Sequence, residues 1–171
     1  MIGGEFVRTM AAYNRWQNES LYAAADTLSD ADRRADRGAF FGSIHATLSH
    51  LLWGDGRWMN RFADTPPPSQ TSIPTSVDEC DDWNELKSRR IDMDEKIIAW
   101  AAGLSDNDLA GTLTWYSGSA GRDETKDLAM LVAHFLNHQT HHRGQVHCML
   151  TAAGATPSDT DLFIMPDERW P

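Results

Sequence analysis

Apolar residues recur at three- and four-residue steps in four long stretches of the chain, the period that lays one face of an α-helix on a core. In the first, residues 5–28, the repeating positions are Phe6, Met10, Tyr13, Gln17, Leu21, Ala24 and Leu28. The stretch "LSDADRRADRG" then breaks the pattern with small polar and charged residues. A second helix is expected over residues 43–63, with Ser43 as its N-cap and Ile44, Leu48, Leu51, Leu52, Trp58, Met59 and Phe62 on its apolar face. "DTPPPSQTSIPTS" follows, and three consecutive prolines cannot continue a helix. That segment reads as a long extended connection, suited to a crossover over one end of a bundle.

The third helix is expected to begin near Ser76, because Ser76 and Glu79 have the S-x-x-E spacing of a capping box. Trp83, Leu86, Met93, Ile97, Trp100 and Leu104 form its stripe. "GTLTWYSGSAGRDET" is different: β-formers, a Gly/Ser turn and a polar run predict a small hairpin or ordered loop. The fourth helix is expected over residues 126–153, with Gly154 as its C′ residue and Pro157 just beyond. The apolar patch at residues 162–165 is expected to pack back on the body. Helices of roughly 20–28 residues would be about 30–40 Å long, which predicts an all-α four-helix bundle with one long connection between helices 2 and 3. At 171 residues, the chain is expected to form a single domain over 1–171.

Composition changes this picture little, since 41% hydrophobic and 23% charged residues are ordinary for a globular fold. No apolar run approaches the ~18–20 residues of a membrane span, so no membrane partner is expected. The opening "MIGGEFVRTMAAYNRW" carries Glu5 and lacks the apolar core of a secretion signal. Cys80 and Cys148 do not make a disulfide framework, and a reducing cytoplasm is the simplest expectation. Charge excludes more. The formal net charge is −10 and the 15 Lys and Arg are scattered, so the chain would repel a polyanion and nucleic acid is not an expected partner.

The chemistry concentrates in the fourth helix, where "HFLNHQTHHRGQVH" at 134–147 holds five of the seven histidines. With His138 set at zero on a helical wheel, His142 lies at about 40°, His134 at about −40°, His141 at about −60° and Gln145 at about −20°. The apolar arc spans about 20° to 160°, so His142 points into the core face and His138 sits on its rim. His147 falls on the opposite side. Histidines four residues apart can share one metal ion, and both His134/His138 and His138/His142 have that spacing. Only the second pair includes a histidine within the apolar face. A structural reading stands beside this: paired histidines also occur as hydrogen-bonded core residues, and two ligands do not complete a site with three protein ligands and an open position. Helix 2 offers the other two histidines, His45 and His50, each just outside one edge of its apolar arc, and the wheel does not choose between them. It places Asp55 in the middle of that arc. A carboxylate there needs a partner: it could orient a ligand, join the metal, or pair with an arginine such as Arg143.

These residues resemble a known family. "NHQTHHRGQVH" at 137–147 resembles the helix-4 signature of the DinB/YfiT-like family, "SIHATLSHLLWGDGRWMNRF" at 43–62 its helix-2 motif, and "YNRWQNESLYAAADTLSD" at 13–30 its opening helix. The resemblance implies a four-helix bundle with one divalent ion on three histidines, one from helix 2 and two from helix 4. Matched by motif, these are His50, His138 and His142. Asp55, His134, Arg143 and Gln145 are then candidate supporting residues. The resemblance further implies zinc or nickel as the ion and a homodimer as the assembly. It also implies thiol-dependent chemistry, since relatives include a mycothiol-dependent maleylpyruvate isomerase and S-transferases using mycothiol or bacillithiol.

Two functions compete. In the first, the chain is a divalent-metal-dependent enzyme whose open ion holds a low-molecular-weight thiol cosubstrate against a small-molecule electrophile, for S-transfer or isomerisation. In the second, it is a non-catalytic metal-binding stress-response protein whose ion is structural; four protein ligands closing the shell would favour this. Cys148 lies off the ligand face and reads as a small packing residue. Trp16, Trp53, Trp58, Trp83 and Trp100 fall in helices as packing residues, while Trp115 and Tyr116 could border a pocket mouth.

Overall fold

The computed structural model describes residues 2–118 and 120–171. Among these residues five α-helices form: α1 (Gly4–Asp26), α2 (Asp30–Arg34), α3 (Ile44–Ala63), α4 (Trp83–Ala102) and α5 (Leu128–Ala152). A two-stranded antiparallel hairpin, β1 (Thr112–Ser117) and β2 (Arg122–Asp127), precedes α5. The four long helices make an all-α bundle in the cyclic order α1, α4, α3, α5.

Helix directions follow from side-chain pairs. Asp26 meets Lys87 and Asn18 meets Asp94, so α1 and α4 are antiparallel. His50 meets His138 and Trp58 meets His134, so α3 and α5 are antiparallel too. Asp55 meets Arg90 and Phe62 meets Trp100, so α3 and α4 run parallel. Parallel neighbours cannot be joined by a tight turn. The chain between them must return along about 30 Å of helix, and the proline-rich stretch 64–82 is ample at roughly 3.3 Å per extended residue. Its path is pinned to α3: Trp53 Nε1 donates to the Gln70 carbonyl (2.7 Å), and Ser76 meets His50. The Glu79 carboxylate accepts from the Gln70 amide (2.9 Å) and the Ser69 hydroxyl (2.8 Å), and pairs with Arg89.

Several local expectations are corrected. Ser76 does not cap α4. It begins a 3₁₀ turn, Ser76–Asp78, and α4 starts at Trp83 behind Asp82, whose carboxylate accepts from the Glu85 amide (2.8 Å). The segment read as a break contains α2, capped by Ser29. Helix α5 starts at Leu128, because residues 122–127 pair with β1. Ser119 lies outside the described residues. At the other end of α5, Gly154 adopts φ +84°. The Ala155 amide reaches the Leu150 carbonyl and the Gly154 amide reaches Thr151, the double bond of a Schellman stop. In the tail Met165 is buried, while Phe163 is 79% exposed.

The core is two apolar clusters. One gathers Leu21, Ile44, Leu48, Leu86 and Leu150; the other gathers Val7, Met59, Ile97, Val132 and Phe135. Between them lies a buried polar belt of Asn14, Asn18, Asp55, Arg90, Asp94 and Gln139. Arg90 binds Asp55 (2.7 Å) and Asp94 (3.0 Å), Asn18 donates to Asp94 (2.9 Å), and Asn14 donates to Gln139. Asp55 thus pairs with Arg90 and not with Arg143. Arg143 is buried and sets its guanidinium over the Tyr13 ring, 5.7 Å from the centroid.

Candidate metal centre

The facing stripes of α3 and α5 bring three imidazoles together. His50 sits on α3, and His138 and His142 stand one turn apart on α5. One ring nitrogen from each lies within 4.8 Å of the others. The His50 and His138 Nε2 atoms are 3.3 Å apart. In a tetrahedral site with metal–nitrogen bonds of about 2.0–2.1 Å, neighbouring nitrogens stand roughly 3.3–3.4 Å apart. His142 is buried and His138 half-buried.

The hydrogen bonds decide which nitrogen of two rings carries a lone pair. The Ser76 hydroxyl donates its one proton to the Ile73 carbonyl (2.6 Å). Toward His50 Nδ1, 2.7 Å away, it can therefore only accept. His50 is thus protonated on Nδ1 and bare on Nε2, the atom facing His138. In the same way His142 Nδ1 donates to the Gln145 carbonyl oxygen (2.7 Å), leaving Nε2 bare. Such outer contacts fix ring orientation and raise ligand basicity. His138 Nδ1 is buried with no hydrogen-bond partner among the described residues.

Packing completes the cluster. Phe41 stacks on His50 with ring centroids 3.9 Å apart, and also touches His142 at 5.4 Å. Trp53 flanks His50 on another side, at 5.5 Å. Gly54 is where α3 passes the His138 ring: a Cβ built there would lie 3.0 Å from His138 Cε1. Burial, reinforced by the neighbouring His138 and His142 rings, pushes the His50 imidazole down to about 3. Burial, then His142, His134 and His141, pushes His138 down to about 3 as well. His142 is also lowered, first by burial. All three are therefore neutral near pH 7, the form that coordinates a cation. Three neutral imidazoles converge with no carboxylate among them, and this donor set fits a divalent ion.

The remaining candidates lie around this group. His134 is exposed, edge-on to Trp58 at 5.3 Å, with its ring 6.1 Å from that of His138. His45 is buried and bonded through Nε2 to the Cys80 carbonyl (3.0 Å), away from the three. Asp55 is held by Arg90. Cys148 is exposed rather than packed. Sequence reasoning missed Ser76, Phe41 and Gly54. The S-x-x-E spacing at Ser76 signalled a helix start, and nothing in the local pattern of Phe41 or Gly54 points across to α5.

Beside the histidines opens a cavity of about 690 Å³, walled by α3, α5, the crossover and the hairpin. His50 and His138 form one end, and Trp53, Trp58, Trp115 and His134 line its sides. Tyr116 is 63% exposed and does not line it. No helix among the described residues is long and apolar enough to cross a membrane.

Comparison with known proteins places this arrangement. Protein DinB of Bacillus subtilis (strain 168) is 24% identical over 172 aligned residues, covering 96% of this chain and 98% of the relative. The profile described as the DinB family matches residues 4–169. That match begins with α1 and runs into the tail beyond α5, so it takes in every helix that frames the histidines, and on it the chain belongs to the DinB family.

Proposed function

We propose that the protein is a divalent-metal-dependent enzyme that joins a low-molecular-weight thiol to a small electrophile, or isomerises it, with His50, His138 and His142 as the metal ligands. The observation that carries this reading is the composition of the histidine group. It holds three residues, while His45, Asp55 and His134 stand outside it, and it opens on a cavity large enough for a small molecule. Three protein ligands with room beside them favour chemistry over a closed structural site. Zinc and nickel both suit imidazole ligands.

A divalent ion held there supplies Lewis acidity, which lowers the pKa of a thiol from its usual ~8.5 or of water toward ~7. The chain's own residues do the rest. Ser76 and Gln145 hold two ring tautomers ready, so no proton need be lost from those rings on loading. Phe41 and Trp53 cover His50 and keep bulk water from it. Trp53, Trp58 and Trp115 give the cavity an apolar wall against which a small molecule can lie.

The test is turnover of a generic electrophile across a panel of thiols by untagged, metal-loaded protein. Metal- and thiol-dependent turnover that His142→Ala abolishes supports the reading. Rates no higher than the metal-free background for every thiol leave the second reading, a non-catalytic metal-binding protein. A homodimer belongs to the same proposal on family grounds, and sedimentation equilibrium reads it directly.

A further inference from the structure

The cavity is not neutral. Along α3, His50, Gly54, Arg57 and Arg61 fall at four-, three- and four-residue steps, a single stripe facing the cavity. Arg57 and Arg61 lie about 10 Å and about 16 Å of axial rise beyond His50. Neither guanidinium makes a hydrogen bond or an ion pair with another described residue. Arg61 is half-buried and rests on tryptophan faces, its guanidinium 4.5 Å from the Trp58 ring and 5.7 Å from that of Trp115. Lys126 joins the wall but is already paired with Glu124 (3.4 Å). No described residue of the wall is acidic. In a chain of net charge −10, two guanidiniums one helical turn apart on a wall without acidic residues make a local field that attracts an anion.

We infer that the cavity takes a small organic acid: its carboxylate binds Arg57 and Arg61, its apolar body lies along the tryptophan-lined wall, and its far end reaches the histidines. Guanidinium is the side chain best matched to a carboxylate, since its fork donates two parallel hydrogen bonds. The tryptophans pre-organise Arg61, so little side-chain entropy is lost when the acid binds. Burial, and then the charge of Arg57, push the Arg61 guanidinium down to about 10, which an incoming anion would reverse. The inference rests on the metal-dependent reading for what happens at the histidine end. The anion site itself stands apart from the three ligands.

The test is calorimetric binding of 3-phenylpropanoate and of the isosteric 3-phenylpropanamide to the zinc-loaded protein. The acid should bind about tenfold or more tightly than the amide. Arg57→Gln and Arg61→Gln should each erase most of that preference, and Arg61→Lys should keep part of it. His142→Ala, which removes a proposed metal ligand, should keep the preference even where metal is lost. If that variant holds its ion as tightly as wild type, the metal reading fails while the anion site stands. Equal binding of acid and amide, no acid binding at millimolar concentration, or an undiminished preference in both glutamine variants would overturn the inference.

Discussion

A hydroxyl that has already spent its proton can only accept, and Ser76 is such a hydroxyl beside His50. Removing it leaves the His50 ring free to adopt either tautomer. Ser76→Ala should therefore weaken metal affinity by about 10–100-fold, as should Gln145→Ala at His142. Competition with a chelating dye measures this, and unchanged affinity in both would mean the tautomers are not set here. Gly54 makes a sharper case, because stability and function should part. Alanine in a helix interior is favoured over glycine by about 1 kcal/mol, so Gly54→Ala should not lower the melting temperature of the metal-free protein. Its Cβ would nevertheless meet His138 Cε1 at 3.0 Å and displace the ring. Metal affinity should fall while the fold holds; loss of both would show that Gly54 serves backbone packing instead.

Among the elements, α4 contributes no candidate ligand, yet it carries the Arg90 that pairs with both Asp55 and Asp94 in the belt between the two apolar clusters. Deleting one member of a buried ionic cluster typically costs 3–5 kcal/mol, so Arg90→Ala should destabilise by about that much in urea melts. A loss under about 1 kcal/mol would mean water relieves the two carboxylates. The same element shows where the sequence could be read and where not. The stripe of Leu86, Met93, Ile97 and Trp100 announced a helix, because periodicity reports which face is covered. Its start was misplaced at Ser76 because S-x-x-E marks a cap only when a helix follows. Here the crossover pins Ser76 against α3 and Asp82 takes the capping role. The wheel set His142 inside the core face of α5 and His138 on its rim, and their burial agrees. The partner of Asp55 was not legible, since helix order around a bundle is fixed by how whole faces fit, and the wheel, which named Arg143 as an example, carries nothing that points to Arg90.

At the scale of the molecule, the bundle holds uncharged imidazoles in a half-buried seam, and this sets its response to acid. In the unfolded chain the rings of His50 and His138 protonate below about 6.5; folded, they resist until about 3. Between those values the unfolded state binds more protons, so stability falls as pH falls through that window. Melting temperatures of the metal-free protein should therefore decline steadily from about pH 6.5 downward, and a profile flat to about pH 4 would contradict the burial of neutral rings. The central claim is that this seam holds one divalent ion on His50, His138 and His142. Elemental analysis of protein purified without a histidine tag tests it most directly, with His142→Ala and His147→Ala prepared alongside. The account predicts one zinc or nickel ion per chain in the wild type and in His147→Ala, and none in His142→Ala. A wild type that carries no ion, or a His142→Ala variant that keeps a full complement, would contradict it.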